Sequence, residues 1–202
     1  MTEHPQRRLL RERIVKRIGT WYDWGQADCS QQIVDMVRDI AGKSAGWDMS
    51  SQGMYNAYHE RPVVPMLGAL WLYGSSTTNI SHVRLAYDDT LAFGAEGGAR
   101  TTNTVEQAKA RCAFWRSCDP VLDSRKRYGP FMPDWWPWVR VTTDTLNLRD
   151  GVGTSAVILQ TLPANTVVEL LAGDAVQMDG YTWVRVVTSG ETGYVAGEWL
   201  KR

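Results

Sequence analysis

The spacing of apolar residues changes period at Gly68, and that change limits the folds open to the chain. Before it, Leu9, Leu10, Ile14, Val15 and Ile18 recur every three to four positions among Arg and Glu, which predicts an amphipathic helix ending near Gly19. Ile33, Val34, Met36, Val37 and Ile40 repeat the pattern, and Gly42 stands where a helix C-terminus favours a positive φ. One further short helix is expected around Met54 to Tyr58. After Gly68 the runs turn strand-like: residues 69–73, a polar turn at 75–79, a strand over 82–87, and a hairpin through Asp88-Asp89 into 90–95. Gly97-Gly98 breaks that sheet, and residues 105–115 read as another short helix. Helices followed by antiparallel strands specify an α+β domain.

Pro120, Pro130, Pro133 and Pro137 punctuate an irregular segment that closes on Trp135-Trp136-Pro137-Trp138. We read it as the boundary between two domains, 1–138 and 139–202, with the tryptophans packing a domain on the linker rather than stacking on sugar rings. Residues 139–202 contain neither Cys nor His and alternate short Val/Leu/Thr runs with Gly, Asn and Asp turns, the pattern of a small all-β barrel.

Twenty-two basic side chains balance twenty-two acidic ones, so neither nucleic acid nor an anionic membrane is an expected partner. Apolar runs stop well short of the roughly 20 residues that a membrane span requires. The first nineteen residues carry six Arg/Lys and lack the apolar core of a secretory signal, which places synthesis and initial residence in the cytoplasm. Three cysteines, Cys29, Cys112 and Cys118, leave at least one thiol free. The spacing of Cys112 and Cys118 does not suit zinc, and no metal or cofactor is expected.

Chemistry concentrates at Cys29. It opens a predicted helix, after Asp28 and before Ser30, where the partial positive charge of the helix N-terminus favours thiolate. A cysteine nucleophile needs a base, and His4, His59 and His82 are the only histidines. His4 falls in a terminus expected to fray, and His59 in a polar stretch before Pro62. His82 opens a strand directly after a turn and is the expected base.

Tyr22-Asp23-Trp24-Gly25, Asp28-Cys29-Ser30 and, later, residues 67–73 with Ser81-His82-Val83 resemble the NlpC/P60 family of papain-like cysteine peptidases over residues 10–115. The resemblance implies that Cys29 and His82 are catalytic and that Tyr22, Trp24, Asp28 and Ser30 lie where substrate binds. The chain departs from the family in having Arg84 where Gly is frequent and Ala69 where Asp is frequent. The family's third polar residue falls near Gly94, and small residues there resemble bacteriophage-encoded versions. A two-residue turn at Asp88-Asp89 pairs Tyr87 with Thr90 and sets Ala95 opposite His82, with Gly94 beside it. Either Glu96, the nearest polar side chain, or a backbone carbonyl then orients His82.

Asn147-Leu148-Arg149-Asp150-Gly151, Trp183-Val184-Arg185-Val186 and Gly193-Tyr194-Val195 resemble the bacterial SH3 domain. That likeness implies wall binding, with Trp183 structural and Tyr194 the groove candidate. The expectation is therefore a papain-like NlpC/P60 catalytic domain followed by a small all-β SH3-like barrel. Its activity would be peptidoglycan hydrolysis at the D-isoglutamyl–diamino acid amide, and its partners bacterial peptidoglycan and, in a virion, phage proteins. Such a protein would reach the wall from the host cytoplasm as an endolysin or ride in on a virion. The alternatives are a catalytically weak virion or wall-binding protein, and an N-acetylmuramoyl-L-alanine amidase on the same fold.

Overall fold

The computed structural model describes residues 4–20, 28–96, 112–116, 125–188 and 190–201. They divide into two compact units, Leu9–Pro133 and a second unit that joins residues 4–8 to the chain from Asp134 onward. The division falls inside the Pro/Trp segment, so Trp135, Trp136 and Trp138 group with the second unit and not with the first 138 residues. Trp136 and Trp138 stack with ring centroids 4.9 Å apart, and the Trp138 carbonyl accepts from Leu170 N–H at 2.6 Å. Arg7 is ion-paired with Glu169, and the His4 ring lies 5.8 Å from Trp138. His4 is thus held against a ring, where the sequence position suggested fraying.

Helix α1 (Pro5–Arg17), which the division between units crosses after Arg8, buries a narrower stripe than its sequence predicted: Leu10 and Ile14 are fully buried, while Leu9, Val15 and Ile18 are exposed. Residues four apart stack on one helix face, whereas Leu9 and Val15 lie about 100° to either side of it. Helix α2 (Cys29–Val37) buries Cys29, Ile33, Val34, Met36 and Val37. Gly42 closes its C-terminal turn at φ 65°, with Lys43 N–H bonding to the Arg38 carbonyl at 2.8 Å. Helix α3 (Ser51–Tyr58) starts earlier than predicted because Ser50 caps it, accepting from Gly53 N–H at 3.1 Å.

Five antiparallel strands, β1 (Leu70–Ser76), β2 (Asn79–Ala86), β3 (Leu91–Ala95), β4 (Cys112–Arg116) and β5 (Lys126–Phe131), form a sheet ordered β4-β3-β2-β1-β5. Both α2 and α3 lie against β2, and α2 also against β3. The turn between β1 and β2 is shorter than predicted, Ser76 pairing with Asn79. A register shift at Gly74 admits that turn, and a Cβ there would fall 2.1 Å from the Asn79 carbonyl oxygen.

Three sequence expectations are corrected here. Residues 112–115, expected in a helix, lie in strand β4, with Cys112, Ala113 and Trp115 paired to Ala95, Gly94 and Ala92. The open edge of β3 supplies backbone partners, and an apolar run this short suits either period. Residues 105–111 of that expected helix, and Gly97-Gly98, lie outside the described residues. The Pro-punctuated segment also holds a strand, β5, paired to β1 through Leu70↔Phe131 and Leu72↔Tyr128. Pro130 is tolerated because β5 is an edge strand. The β2–β3 turn, finally, is one residue longer than predicted: Asp88 Oδ1 accepts from Thr90 N–H at 2.8 Å and Leu91 N–H at 2.6 Å, and Tyr87 N–H bonds to the Leu91 carbonyl.

The second unit is an eight-stranded sheet ordered β13-β6-β9-β11-β12-β7-β8, with β10 beside β11. Its strands are β6 (Val139–Thr142), β7 (Leu146–Arg149), β8 (Ile158–Leu162), β9 (Val167–Leu170), β10 (Val176–Met178), β11 (Tyr181–Thr188), β12 (Glu191–Ala196) and β13 (Leu200–Lys201). Leu146, Leu148, Leu162, Val168, Val186, Val195 and Ala196 form its core. Trp183 is buried and its Nε1–H donates to the Met178 carbonyl at 2.9 Å, so its apolar body and its single donor are both satisfied.

Candidate active site

Asp28 has extended backbone, which lets its carboxylate fold over the start of α2. Oδ1 accepts from Ser30 N–H and Gln31 N–H, both at 3.0 Å, and from Ser30 Oγ–H at 2.9 Å. This cap puts Cys29 in the first turn, where the positive end of the helix dipole acts on Sγ. It also gives Asp28 and Ser30 a structural task that their sequence position did not separate from substrate binding. Tyr22 and Trp24 lie outside the described residues. Tyr194 sits on β12 in the second unit, partly exposed and paired with Arg149.

Strand β2 presents His82 and Arg84 on one face, two residues apart. Across from them, β3 pairs Gly94 with Arg84. Continuing that register by two residues sets Glu96 opposite His82, where a two-residue turn would have put Ala95. Glu96 Oε1 lies 3.1 Å from His82 Nε2 and accepts from Arg84 Nε–H at 2.6 Å. Of the two ways of orienting the imidazole, the structure brings the side-chain carboxylate to the ring.

Cys29, His82 and Glu96 are 7, 4 and 4% exposed, and Arg84 is fully buried. Burial pushes the Cys29 thiol up, but the charge and hydrogen bond of His82, helped by Val83 N–H, outweigh it and leave the thiol below its ordinary value. Burial likewise lowers His82, yet Cys29 first and Glu96 second raise it to about 9. Glu96, raised by burial, is brought below the usual carboxylate value by His82 and then Arg84. These shifts describe one coupled set: thiolate, imidazolium, carboxylate, guanidinium. Because Nε2 is engaged by Glu96, Nδ1 is the ring nitrogen left for Cys29.

Ser51, the first residue of α3, places Oγ 3.7 Å from Cys29 Sγ. Neither Ser51 nor Arg84 was picked out as functional from sequence. Arg84 carried a readable signal, a charge two residues after His82 in a strand run and therefore on the same face. Ser51 carried none, since only the fold brings α3 beside α2. His59 caps α3, its Nδ1 3.0 Å from the Tyr55 carbonyl, and is exposed.

A separate cleft of about 670 Å³ is lined by Arg13, Lys16, Arg17 and Arg38 with Asp35 and Asp39. It contains none of the residues around Cys29, and several of its charges are engaged: Arg13 pairs with Asp39, Arg38 with Asp35 at 3.2 Å, and Arg17 donates to Gln32 at 3.0 Å. Cys29 and Cys112 are free thiols, and Cys118 lies outside the described residues. Among the described residues no group of three or more His, Cys, Asp or Glu is placed to hold a metal ion, and no helix is long and apolar enough to cross a membrane.

Comparison with known families matches residues 144–201 to the bacterial SH3 domain. No curated protein matches the sequence. Among solved structures, NlpC2 from Trichomonas vaginalis overlaps 70% of this chain at 17% identity and a TM-score of 0.28, and this chain covers 46% of NlpC2. The structure of Ly7917 overlaps 94% of this chain and 91% of its own at 17% identity and a TM-score of 0.36. Ly7917 with the hydrolyzing product of MDP overlaps 94% and 92% at 15% identity and a TM-score of 0.33.

Proposed function

We propose that the protein is a cysteine peptidase that cuts a stem-peptide amide of bacterial peptidoglycan. The observation that carries this reading is the buried Cys29–His82–Glu96 set at a helix start, with thiol and imidazole shifted toward the ion pair. Cys29 thiolate attacks the carbonyl carbon, forming the C–S bond, and the developing oxyanion is met by the Cys29 N–H at the start of α2. The His82 imidazolium gives its Nδ1 proton to the departing amine as the C–N bond breaks. Water then loses a proton to His82 and attacks the thioester, releasing the acid and restoring the thiolate and imidazolium. Glu96 holds the ring in the orientation both steps need.

Peptidoglycan as substrate, and the D-isoglutamyl–diamino acid bond within it, follow from the family resemblance of the Cys29 and His82 motifs and from the bacterial SH3 domain at 144–201. A lysin of bacteriophage type, acting from the host cytoplasm or from a virion, belongs to the same proposal. The rival reading, a feebly catalytic wall-binding protein, is less favoured because Glu96 Oε1 lies 3.1 Å from His82 Nε2 and can orient the ring. Purified sacculi of several wall types, digested and analysed by mass spectrometry, test the bond. New D-isoglutamate carboxyl ends with free diamino-acid amines are expected. New L-alanine amines with intact lactyl carboxyls would assign an amidase instead, and no new ends from any wall type would overturn the substrate.

A further inference from the structure

Arg84 is a fully buried guanidinium on β2 that the cleavage steps above do not use. A charge is costly to bury unless it is paired and hydrogen-bonded, and three features surround this one. Its Nε–H bonds to Glu96 Oε1 at 2.6 Å, the same oxygen that lies 3.1 Å from His82 Nε2. Its Cζ lies 5.0 Å from the Tyr73 ring centroid and 5.2 Å from that of Trp115, both within cation–π range. Its register partner is Gly94, where a Cβ would come within 3.0 Å of both Arg84 Cγ and Glu96 Oε1 and 3.1 Å of Trp115 Cδ1. Any larger residue at that position would crowd the pair.

We infer that Arg84 is a positioning residue of the site: it keeps Glu96 ionised and fixed, and thereby holds His82 in the tautomer that leaves Nδ1 free to take a proton. This inference rests on the reading of Cys29 as nucleophile. The physical need arises because His82 changes charge during turnover. While the ring is neutral, a buried carboxylate facing it alone would take up a proton itself. Protonated Glu96 would then donate to Nε2 and leave the hydrogen on Nδ1, the nitrogen that must accept from water or thiol. A guanidinium stays charged across the working pH range, so the carboxylate remains an acceptor in both halves of the cycle. Arg84 acts on Cys29 only through this chain.

The test reads Cys29 directly, through the pH dependence of its alkylation by iodoacetamide, so that it does not depend on which wall bond is cut. Charged and titratable groups facing the site are Asp28 beside Cys29, His82 and Arg84 on β2, Glu96 after β3, and Tyr73 on β1 with Arg127 acting on it from β5. Wild-type reactivity is expected to begin well below the range of a free thiol. In Arg84→Met the rise moves upward by about one pH unit or more, because the thiolate–imidazolium pair loses its fixed anion. Arg84→Lys, which keeps a cation within reach, recovers most of that shift. In a Glu96→Gln background, Arg84→Met moves the profile far less than in the wild type. An unshifted profile in Arg84→Met, or a shift of equal size with and without Glu96, would overturn the inference. If Arg84→Met fails to fold, Gly94→Ala, which parts the pair, carries the same expectation and the same refutation. A wild-type profile like that of a free thiol would instead refute the nucleophile reading, and this inference with it.

Discussion

Two opposing forces meet at Cys29, and which of them wins determines how the protein responds to pH. Burial favours the neutral thiol, and His82 favours the thiolate by more. The thiol of Cys112 has no such partner close enough to win and is pushed up by its burial. Brief alkylation followed by peptide mapping should therefore label Cys29 well ahead of Cys112, and the reverse order would remove Cys29 as nucleophile. His82, raised to about 9, is imidazolium at neutral pH and loses its proton as pH rises through that value. Hydrolysis needs that proton for the leaving amine, whereas alkylation needs only the thiolate. Wall cleavage should thus fall above about pH 9 while Cys29 alkylation does not, and a parallel fall of both would contradict the assignment of roles. Glu96→Gln should lower turnover by roughly tenfold, about 1.4 kcal/mol of transition-state stabilisation, and should also lower the unfolding temperature, because the buried Arg84 guanidinium loses its counter-charge.

At the scale of elements, the placing of Glu96 against His82 depends on one turn. Asp88 binds Thr90 N–H and Leu91 N–H, which adds a residue to the β2–β3 loop and moves Glu96, rather than Ala95, toward His82. Three side chains that the fold brings together could be singled out in the sequence: Cys29 from its helix start, His82 from a strand run in which it is the fourth residue of β2 and not the first, and Glu96 as the nearest polar side chain. The pairing was not legible, because a two-residue and a three-residue turn fit Asp88-Asp89-Thr90 equally well until the carboxylate of Asp88 is placed. Strand β5 stayed hidden for a related reason, since Gly129-Pro130 reads as a break and only an edge position tolerates it. Strand β4 was mistaken for helix because Cys112 to Arg116 is too short to declare a period. Asp88→Ala should cost about 0.5–1.5 kcal/mol for each net hydrogen bond lost, and should lower turnover by more than that destabilisation explains. Thermal unfolding and kinetics on the same sample check this. A stability loss with unchanged turnover would show that the register survives without Asp88.

For the whole molecule, a wall-cutting reading requires the second unit to contribute something the first does not, and the bacterial SH3 match at 144–201 points to binding. Trp183 is core, so Trp183→Ala should destabilise that unit by about 3–5 kcal/mol. Tyr194 is partly exposed, and Tyr194→Ala should weaken retention of full-length, inactive Cys29→Ala protein on sacculi without lowering its unfolding temperature. Equal retention of both proteins would move the binding surface elsewhere. The central claim is covalent: the wall peptide passes through a thioester on Cys29. Wild-type protein mixed briefly with sacculi fragments, quenched in acid and digested, should show the Cys29 peptide carrying the mass of the acyl half of the stem peptide, and Cys29→Ala should show neither adduct nor cleavage. Cleavage of the same bond by Cys29→Ala would contradict the account.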